Sequence, residues 1–516
     1  MLYLFNIYFL ISIPLLTIIL IFINNQFLKI KPYAKKENFI IIIFSVGLFL
    51  SFIYVLIFYL LFKTNTAAYQ FVSTISFSLN SFILEHIESA YTLISTSLLA
   101  IDGLSIVFVV LTPFIIFICA AITHQLPTSN TERALYYIYL LFMESFLFLA
   151  FTTTNLLVFY FAFEATLLPI FLIIGRWGSN ASKKQAANYI FLYTVAGSVL
   201  MLIAILSIIT YSGTANFLAL KTIITFQETT DFYIWWWCFF IGFAVKIPMC
   251  PFHLWLPEAH VEAPAAGSVI LAALLLKLGG YGFLRVLIDI FNLQTLYFQN
   301  CALLVALISV IWGCGVILTL TDIKRVIAFS SIIHMNLAVI GIFSLNYYGY
   351  IGALAVMIAH GLCSAGLFMC IGMLYIRYHT RVLPTLTGLA KVMPVFALVF
   401  GFYSLANMSF PGTFNFVSEL LLLQGIFLNN ATLALFSLYG VIYSGIYSLG
   451  LFSRISFGNV TTAFKQFFDI ANIQYLPGWY SEFYWQLPVI FIIIFWGVMP
   501  KYFFTLIDTS IIRLLI

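Results

Sequence analysis

Apolar residues dominate this chain in long unbroken runs, and polar residues gather in short clusters between them. A helix that crosses the hydrocarbon of a bilayer needs about 20 mostly apolar residues. Runs of that length predict fourteen segments, near 3–23, 39–62, 99–122, 135–152, 154–174, 188–210, 232–250, 265–288, 301–319, 326–345, 350–375, 392–410 continuing to 428, 433–453 and 487–506. Only Thr152-Thr153-Thr154-Asn155 separates the fourth from the fifth. That pair is predicted to be a tight hairpin.

Composition gives the same answer by another route. Of 516 residues, 63% are hydrophobic and 8% charged, whereas a soluble domain carries about 25% charged residues because its surface faces water. Most of this surface must face lipid. The predicted fold class is all-α, a polytopic membrane protein of about 14 transmembrane helices. A net charge of +5 without a long basic tract points away from nucleic acid. The seven cysteines form no CxxC pair, and Cys363 and Cys370, seven apart in one apolar run, read as packing residues rather than disulfide, zinc or iron–sulfur ligands. The apolar stretch at the N-terminus is followed, not preceded, by lysines, unlike a signal or transit peptide. It predicts a retained first helix in a protein made in a bacterium or inside an organelle, and 56 phenylalanines point to AT-rich coding.

Lys and Arg divide unevenly between the two sides that fourteen spans define. Fifteen, from Lys29, Lys31, Lys35 and Lys36 to Lys465, fall on one side, and five (Lys63, Lys221, Arg285, Lys501 and Arg513) on the other. By the positive-inside rule the rich side is the matrix or cytoplasm, with both termini opposite.

Ionisable residues at membrane depth are expensive and mark function by default. Glu164, Lys246, Lys277 and Glu419 fall inside spans five, seven, eight and twelve, and His334 and His360 inside ten and eleven. Glu144 is a weaker case and Asp102 lies near a span end. Three readings compete: buried polar residues that fix packing, a haem held by the two histidines, and a proton path. Only the last uses all six. Burial disfavours a charged form, and an opposite charge nearby restores it. At an effective dielectric near 20, a pair 4 Å apart interacts by roughly 4 kcal/mol. Moving one charge through 100 mV costs about 2.3 kcal/mol. These are comparable, so an ion pair that opens and closes is a sufficient gate.

Two spans are broken. Lys246 is followed by Pro248, Pro251, His253, Pro257, Glu258, His260, Glu262 and Pro264, and the twelfth span is cut at Ser409-Phe410-Pro411-Gly412-Thr413. Helix cannot continue through such sequence, and non-helical backbone survives at membrane depth only inside protein or beside water. Breaks at matching places in two halves mark an inverted-repeat transporter. Spans 4–8 and 9–13 are five helices each, and an odd number inverts the second copy. The chain therefore divides into N-terminal helices (1–130), a first repeat (131–290), a second repeat (291–456) and a C-terminal segment with the last span (457–516).

The wording at these breaks is also distinctive. Phe243-Ala244-Val245-Lys246-Ile247-Pro248, His253-Leu254-Trp255-Leu256-Pro257-Glu258-Ala259-His260-Val261-Glu262-Ala263-Pro264 and Leu276-Lys277-Leu278-Gly279-Gly280-Tyr281-Gly282 resemble the antiporter-like proton-pumping subunits of respiratory complex I, nearest the mitochondrial chain 4 type. Phe159 to Glu164, Asp322 to Ser331 with His334, Ile358 to Leu362 and Phe416 to Glu419 add to the match, which runs over roughly 100–455. Phe414 departs from it, standing where bacterial relatives have a small residue.

The resemblance implies roles: Glu164 and Lys246 the ion pair of the first half-channel, Lys277 the central proton acceptor, His334 and His360 the polar axis, and Glu419 the exit acid. It also implies that this chain holds no cofactor. NADH, FMN, iron–sulfur clusters and ubiquinone would belong to partner subunits, and no GxGxxG is present here. Partners would be other membrane-arm subunits, including neighbouring antiporter-like chains, and membrane lipid, in the mitochondrial inner membrane. Subunits of multi-protein sodium/proton antiporters and plastid complex I-like subunits share the Glu, both Lys and the breaks, and stay open as alternatives. So does a purely structural membrane scaffold.

Overall fold

The computed structural model describes residues 6–30, 37–74, 97–123, 129–224, 230–460, 469–470 and 482–515. Lys31, Lys35, Lys36 and Lys465, counted above on the basic side, lie outside the described residues. The long helices are α1 (Tyr8–Ile30), α2 (Glu37–Leu61), α3 (Gly103–Thr123), α4 (Asn130–Thr152), α5 (Leu156–Trp177), α6 (Lys183–Ser212), α7 (Thr230–Lys246), α8 (Ala265–Ile288), α9 (Asn292–Ile317), α10 (Ile323–Ile342), α11 (Tyr347–Tyr378), α12 (Pro394–Asn407), α13 (Phe414–Asn429), α14 (Ala431–Ser456), α15 (Glu482–Val498) and α16 (Lys501–Leu515). Among the described residues, 11 helices are long and apolar enough to cross a membrane, or up to 12 if the bent pair α15 and α16 counts as one. The protein is a mostly helical, polytopic membrane protein.

Burial grades the helices from centre to rim. The most apolar windows of α8 and α11 are wholly buried, and that of α10 is nearly so, whereas α1, α2 and α14 bury about a third of theirs and leave the rest for lipid. α11 packs against α13 and α10, α9 against α10, and α7 against α6. The tight hairpin is present: α4 ends at Thr152, and the Asn155 side chain accepts from the backbone amides of Leu157 and Val158 to start α5.

Three local expectations need correction. The third span does not begin at 99. Ser97–Ile101 is a strand (β2) paired antiparallel with Gln70–Thr74 (β1), so the fold is not helical throughout. A short apolar run cannot be assigned to helix or strand by hydropathy alone. Helix begins after Asp102, whose carboxylate accepts from the Ser105 amide at 3.0 Å while the Ser105 hydroxyl accepts from the Asp102 amide at 2.8 Å. The fourteenth run is not one straight helix either. It turns by 72° between α15 and α16 at Met499-Pro500, where Pro500 has no backbone N–H to carry on the helical ladder. α16 buries Phe503, Leu506, Ile507, Ser510, Ile511 and Leu514 on one face, at helical spacing. Arg285, counted in a loop, instead lies in the last turns of α8, 2% exposed. Its guanidinium donates to Asp102 at 2.8 Å.

Both predicted breaks are breaks. α7 ends at Lys246, and after two turns the short helix Trp255–Glu262 leads to α8. α8 itself carries π-helical segments at Leu271–Leu275 and Phe283–Ile288. In the twelfth span the chain leaves α12 at Asn407 and restarts at Phe414, crossing Gly412 at φ +93°, a conformation that favours glycine.

Candidate functional site

The six intramembrane residues separate into two groups with different surroundings. Glu164 lies near the middle of α5 and Lys246 in the last turn of α7. The Lys246 ammonium stands over the Phe163 ring, 4.4 Å from its centroid, with the Phe163 carbonyl at 3.5 Å. Glu164 Oε1 is buried without a hydrogen-bond partner, and Ser198 of α6 faces the carboxylate. The two side chains are near enough to act on each other electrostatically, but no ion pair within 4.0 Å joins them among the described residues. Aromatic rings fill the space around them: Phe243 packs against Phe159, Phe163, Phe239 and Phe283, with centroids 5.6–6.3 Å apart. This half is an open pair in an apolar jacket.

The second group forms two hydrogen-bonded runs, Lys277–His360–Ser331 and Glu419–His334–Tyr447. Lys277 is fully buried in α8, just after the π-helical turn. Its ammonium donates to the Ala272 carbonyl at 2.5 Å and meets His360 Nδ1 at 2.8 Å. π-Helical turns inside α-helices often mark functional positions, and here the turn supplies the carbonyl that holds the lysine. Gly361 leaves the room: a Cβ there would stand 3.4 Å from Lys277 Cε and 3.6 Å from Nζ.

Hydrogen-bond accounting assigns the protons of the next residues. The Ser331 hydroxyl is 3.2 Å from the Ile327 carbonyl, to which it can only donate, and 3.1 Å from His360 Nε2. A hydroxyl has one proton, so His360 donates from Nε2 to Ser331 and presents its Nδ1 lone pair to Lys277. The His334 and His360 ring centroids are 5.7 Å apart. His334 Nδ1 lies 3.0 Å from Glu419 Oε1, and Nε2 lies 3.2 Å from the Tyr447 hydroxyl, which also accepts from the Asn407 amide at 3.2 Å. Glu419 Oε2 is buried with no partner. Five helices, α8, α11, α10, α13 and α14, therefore bring these two runs together, with the two imidazoles facing each other across the gap.

All four nitrogens of His334 and His360 are engaged by protein atoms. Phe414 is buried against Trp496 and Phe503, with centroids at 5.3 and 5.0 Å. The bulky residue is thus accounted for by the last two helices. Glu144 accepts from the Ser51 hydroxyl at 2.6 Å, where α2 meets α4.

Sequence reasoning did not pick out Ser331, Tyr447 or Asn407. Ser331 could have been found, since it precedes His334 by one helical turn and shares its face. Tyr447 had no signal among 30 tyrosines.

Residues 153–446 match the family described as NADH:quinone oxidoreductase/Mrp antiporter, TM. The chain is 40% identical over 511 residues to NADH-ubiquinone oxidoreductase chain 4 of Arabidopsis thaliana, covering 99% of this chain and 97% of that protein. The protein of the same name from Chondrus crispus is 40% identical over 467 residues, 90% of each chain. NADH-quinone oxidoreductase subunit M of Rickettsia typhi is 38% identical over 512 residues, 98% of each. Among solved structures, a chain of respiratory complex I from Thermus thermophilus with bound NADH superposes with a TM-score of 0.80 at 25% identity, over 98% of this chain and 99% of that one.

Proposed function

The chain belongs to the NADH:quinone oxidoreductase/Mrp antiporter family, and within it to the NADH-ubiquinone oxidoreductase chain 4 type, and from that premise we propose the route a proton takes through it. It is a membrane-arm subunit of complex I, an oxidoreductase that couples electron transfer to proton translocation. The buried line from Lys277 through His360 and Ser331 to His334 and Glu419 supports the reading most directly.

In this proposal a proton from the lysine-rich face reaches Lys246, and Glu164 sets how firmly Lys246 holds it. When the two approach, the charged lysine is favoured; when they part, burial drives the proton on. The aromatic jacket keeps the local dielectric low, so a small change in separation has a large effect. Lys277 then delivers a proton to His360 Nδ1, and His360 releases its Nε2 proton to the Ser331 oxygen as the Ser331 hydroxyl gives up its own. The step from there to His334 requires the His334 ring to turn away from Glu419, and its return passes the proton to the carboxylate. The ring is both carrier and gate.

Several finer features belong to the same proposal. The chain has fourteen spans in two inverted five-helix repeats, spans 4–8 and 9–13, each with its break in the fourth helix. The lysine-rich side is the mitochondrial matrix, both termini lie in the intermembrane space, and other antiporter-like subunits of the arm flank the chain. NADH, FMN, iron–sulfur clusters and ubiquinone are held by partner subunits. The test is Glu419→Gln in the assembled complex, with proton uptake into vesicles measured during NADH oxidation. The proposal expects pumping and coupled NADH–quinone turnover to fall together while the complex still assembles. Unchanged pumping in that variant would remove Glu419 from the path.

A further inference from the structure

A cavity of about 310 Å³ opens on the lysine-rich side and has no part in the route just described. The ends of α3 and α5, the start of α8 and the last turns of α11 wall it. Its lining is largely apolar, with Ile122, Pro264, Phe368 and Ile371 among the walls. The mouth lies at Ile376, 42% exposed, and the exposed His379. Trp177 and Tyr375 also line it, the residue types that settle at a membrane–water boundary.

Two cations face this apolar space. Lys324 is 3% exposed, and its ammonium donates to the carbonyls of Val261 at 3.4 Å and Ala263 at 2.6 Å. Arg381 is 9% exposed; Nη1 donates to the same Val261 carbonyl at 2.5 Å, and the guanidinium lies 4.1 Å from the Tyr375 centroid. Its Nε is buried with no hydrogen-bond partner. An ammonium has three donors and a guanidinium five, so each retains capacity. The acids that act on them are Asp322 and Glu262, and both are otherwise occupied. Asp322 accepts from the Lys324 backbone amide, and Glu262 from the Asn180 amide and side chain and from Ser182. No ion pair within 4.0 Å joins Lys324 or Arg381 to a carboxylate among the described residues.

Neighbouring buried cations with spare donors above an apolar cavity call for a ligand that is anionic at one end and hydrocarbon at the other. We propose that this cavity binds an anionic phospholipid, with its phosphate held by Arg381 and Lys324 and the upper part of one acyl chain lying along Ile371 and Ile376. A guanidinium matches phosphate oxygens in its fork geometry. A basic pocket between helices on the positively charged face of a membrane protein is where such headgroups bind. The assignment of that face to the matrix leaflet rests on the proposed orientation, whereas the binding itself does not. Both cations also hold Val261, in the short helix that leads into α8. An occupied site therefore braces the broken stretch that delivers Lys277.

The test is photolabelling of the intact complex in phosphatidylcholine vesicles that contain phosphatidylglycerol with a diazirine on one acyl chain. Label should map to the α11 peptide that contains Ile371 and Ile376. Arg381→Gln and Lys324→Gln should each lower it about fivefold, from about 1 kcal/mol per basic residue near an anionic lipid. Ile376→Trp fills the mouth without touching either cation and should lower labelling in a complex that native electrophoresis shows to be assembled. This variant carries the test if the charge substitutions prevent assembly. Equal labelling of wild type and Ile376→Trp would overturn the proposal. So would equal labelling by a phosphatidylcholine analogue, which shows no selection for charge, or protection by inorganic phosphate alone, which identifies a soluble-anion site. The readout is binding, so failure of the proton route leaves it standing, and the reverse is also true.

Discussion

The Glu164–Lys246 region and the Lys277–Glu419 region each pair a buried amine with an acid whose carboxylate has a buried oxygen, yet they are built differently. The first places one acid and one amine among phenylalanines, near each other and unjoined. The second threads its amine and acid through two imidazoles and a hydroxyl, with bonds of 2.8 to 3.1 Å and a single step between Ser331 and His334. A pair in an apolar jacket responds strongly to separation, because desolvation and attraction are both large and of opposite sign. A hydrogen-bonded line conducts but has little leverage. On the proposed route, the energetic switch falls in the first half and conduction in the second.

That division can be broken experimentally, beginning with its most severe consequence. Lys277→Met removes the only amine among the described residues that touches the line. Pumping by the assembled complex is expected to fall by about 10²-fold or more, the scale of losing a proton-transfer group. Fluorescence quenching of a pH dye during NADH oxidation measures it, and retained pumping would show that the line is bypassed. Glu164→Gln keeps the shape and removes the charge, so Lys246 loses its counterion while the second half stays intact. A roughly tenfold loss of coupled activity is expected, in keeping with a pair energy of a few kcal/mol partly compensated by relaxation. Full coupled activity there would place the switch elsewhere.

Gly361→Val sharpens the comparison from the other side. It adds carbon where a Cβ is already within 3.4 Å of Lys277 Cε, so it should disturb the Lys277–His360 contact and cut pumping several-fold, roughly 1–2 kcal/mol of strain, with assembly preserved. Tyr447→Phe is the mildest. It removes the partner of His334 Nε2 but leaves Glu419 in place, and a loss of about twofold to fivefold follows from one neutral hydrogen bond of about 0.5–1 kcal/mol. An effect as large as that of Lys277→Met would mean that Tyr447 carries the proton rather than orienting its carrier.

Much of this was legible from residue order. Pro248 and Pro251 after Lys246, and Pro411-Gly412 before Glu419, declared both breaks, because clustered proline and proline–glycine pairs remove donors and loosen the backbone within one turn. The hairpin at Asn155 was legible for a similarly local reason. The strand at Ser97–Ile101 was not, since its partner lies 23 residues or more away and strand pairing is a non-local choice. Arg285 illustrates the same limit with charge. The sequence shows a cation at the end of an apolar run, where solvent is the simplest surrounding. Only the arrival of Asp102, the residue before α3, with the hydroxyls of Tyr69 and Tyr281 at 3.2 Å, makes burial tolerable.

By itself the sequence determined that the chain lives in a membrane, which ionisable residues fall within its apolar runs, where the helices break and which family they belong to. Each of these follows from short-range rules: apolar length, the cost of charge in hydrocarbon, the geometry of proline and glycine, and the wording of a motif. Tertiary structure decided which of those residues meet. Glu164 and Lys246 stay apart while His334 and Glu419 join, and Ser331 and Tyr447 complete a line that residue types alone did not announce. The reason is that a hydrogen bond depends on tenths of an ångström between helices far apart in the chain, and packing of the whole bundle sets those distances.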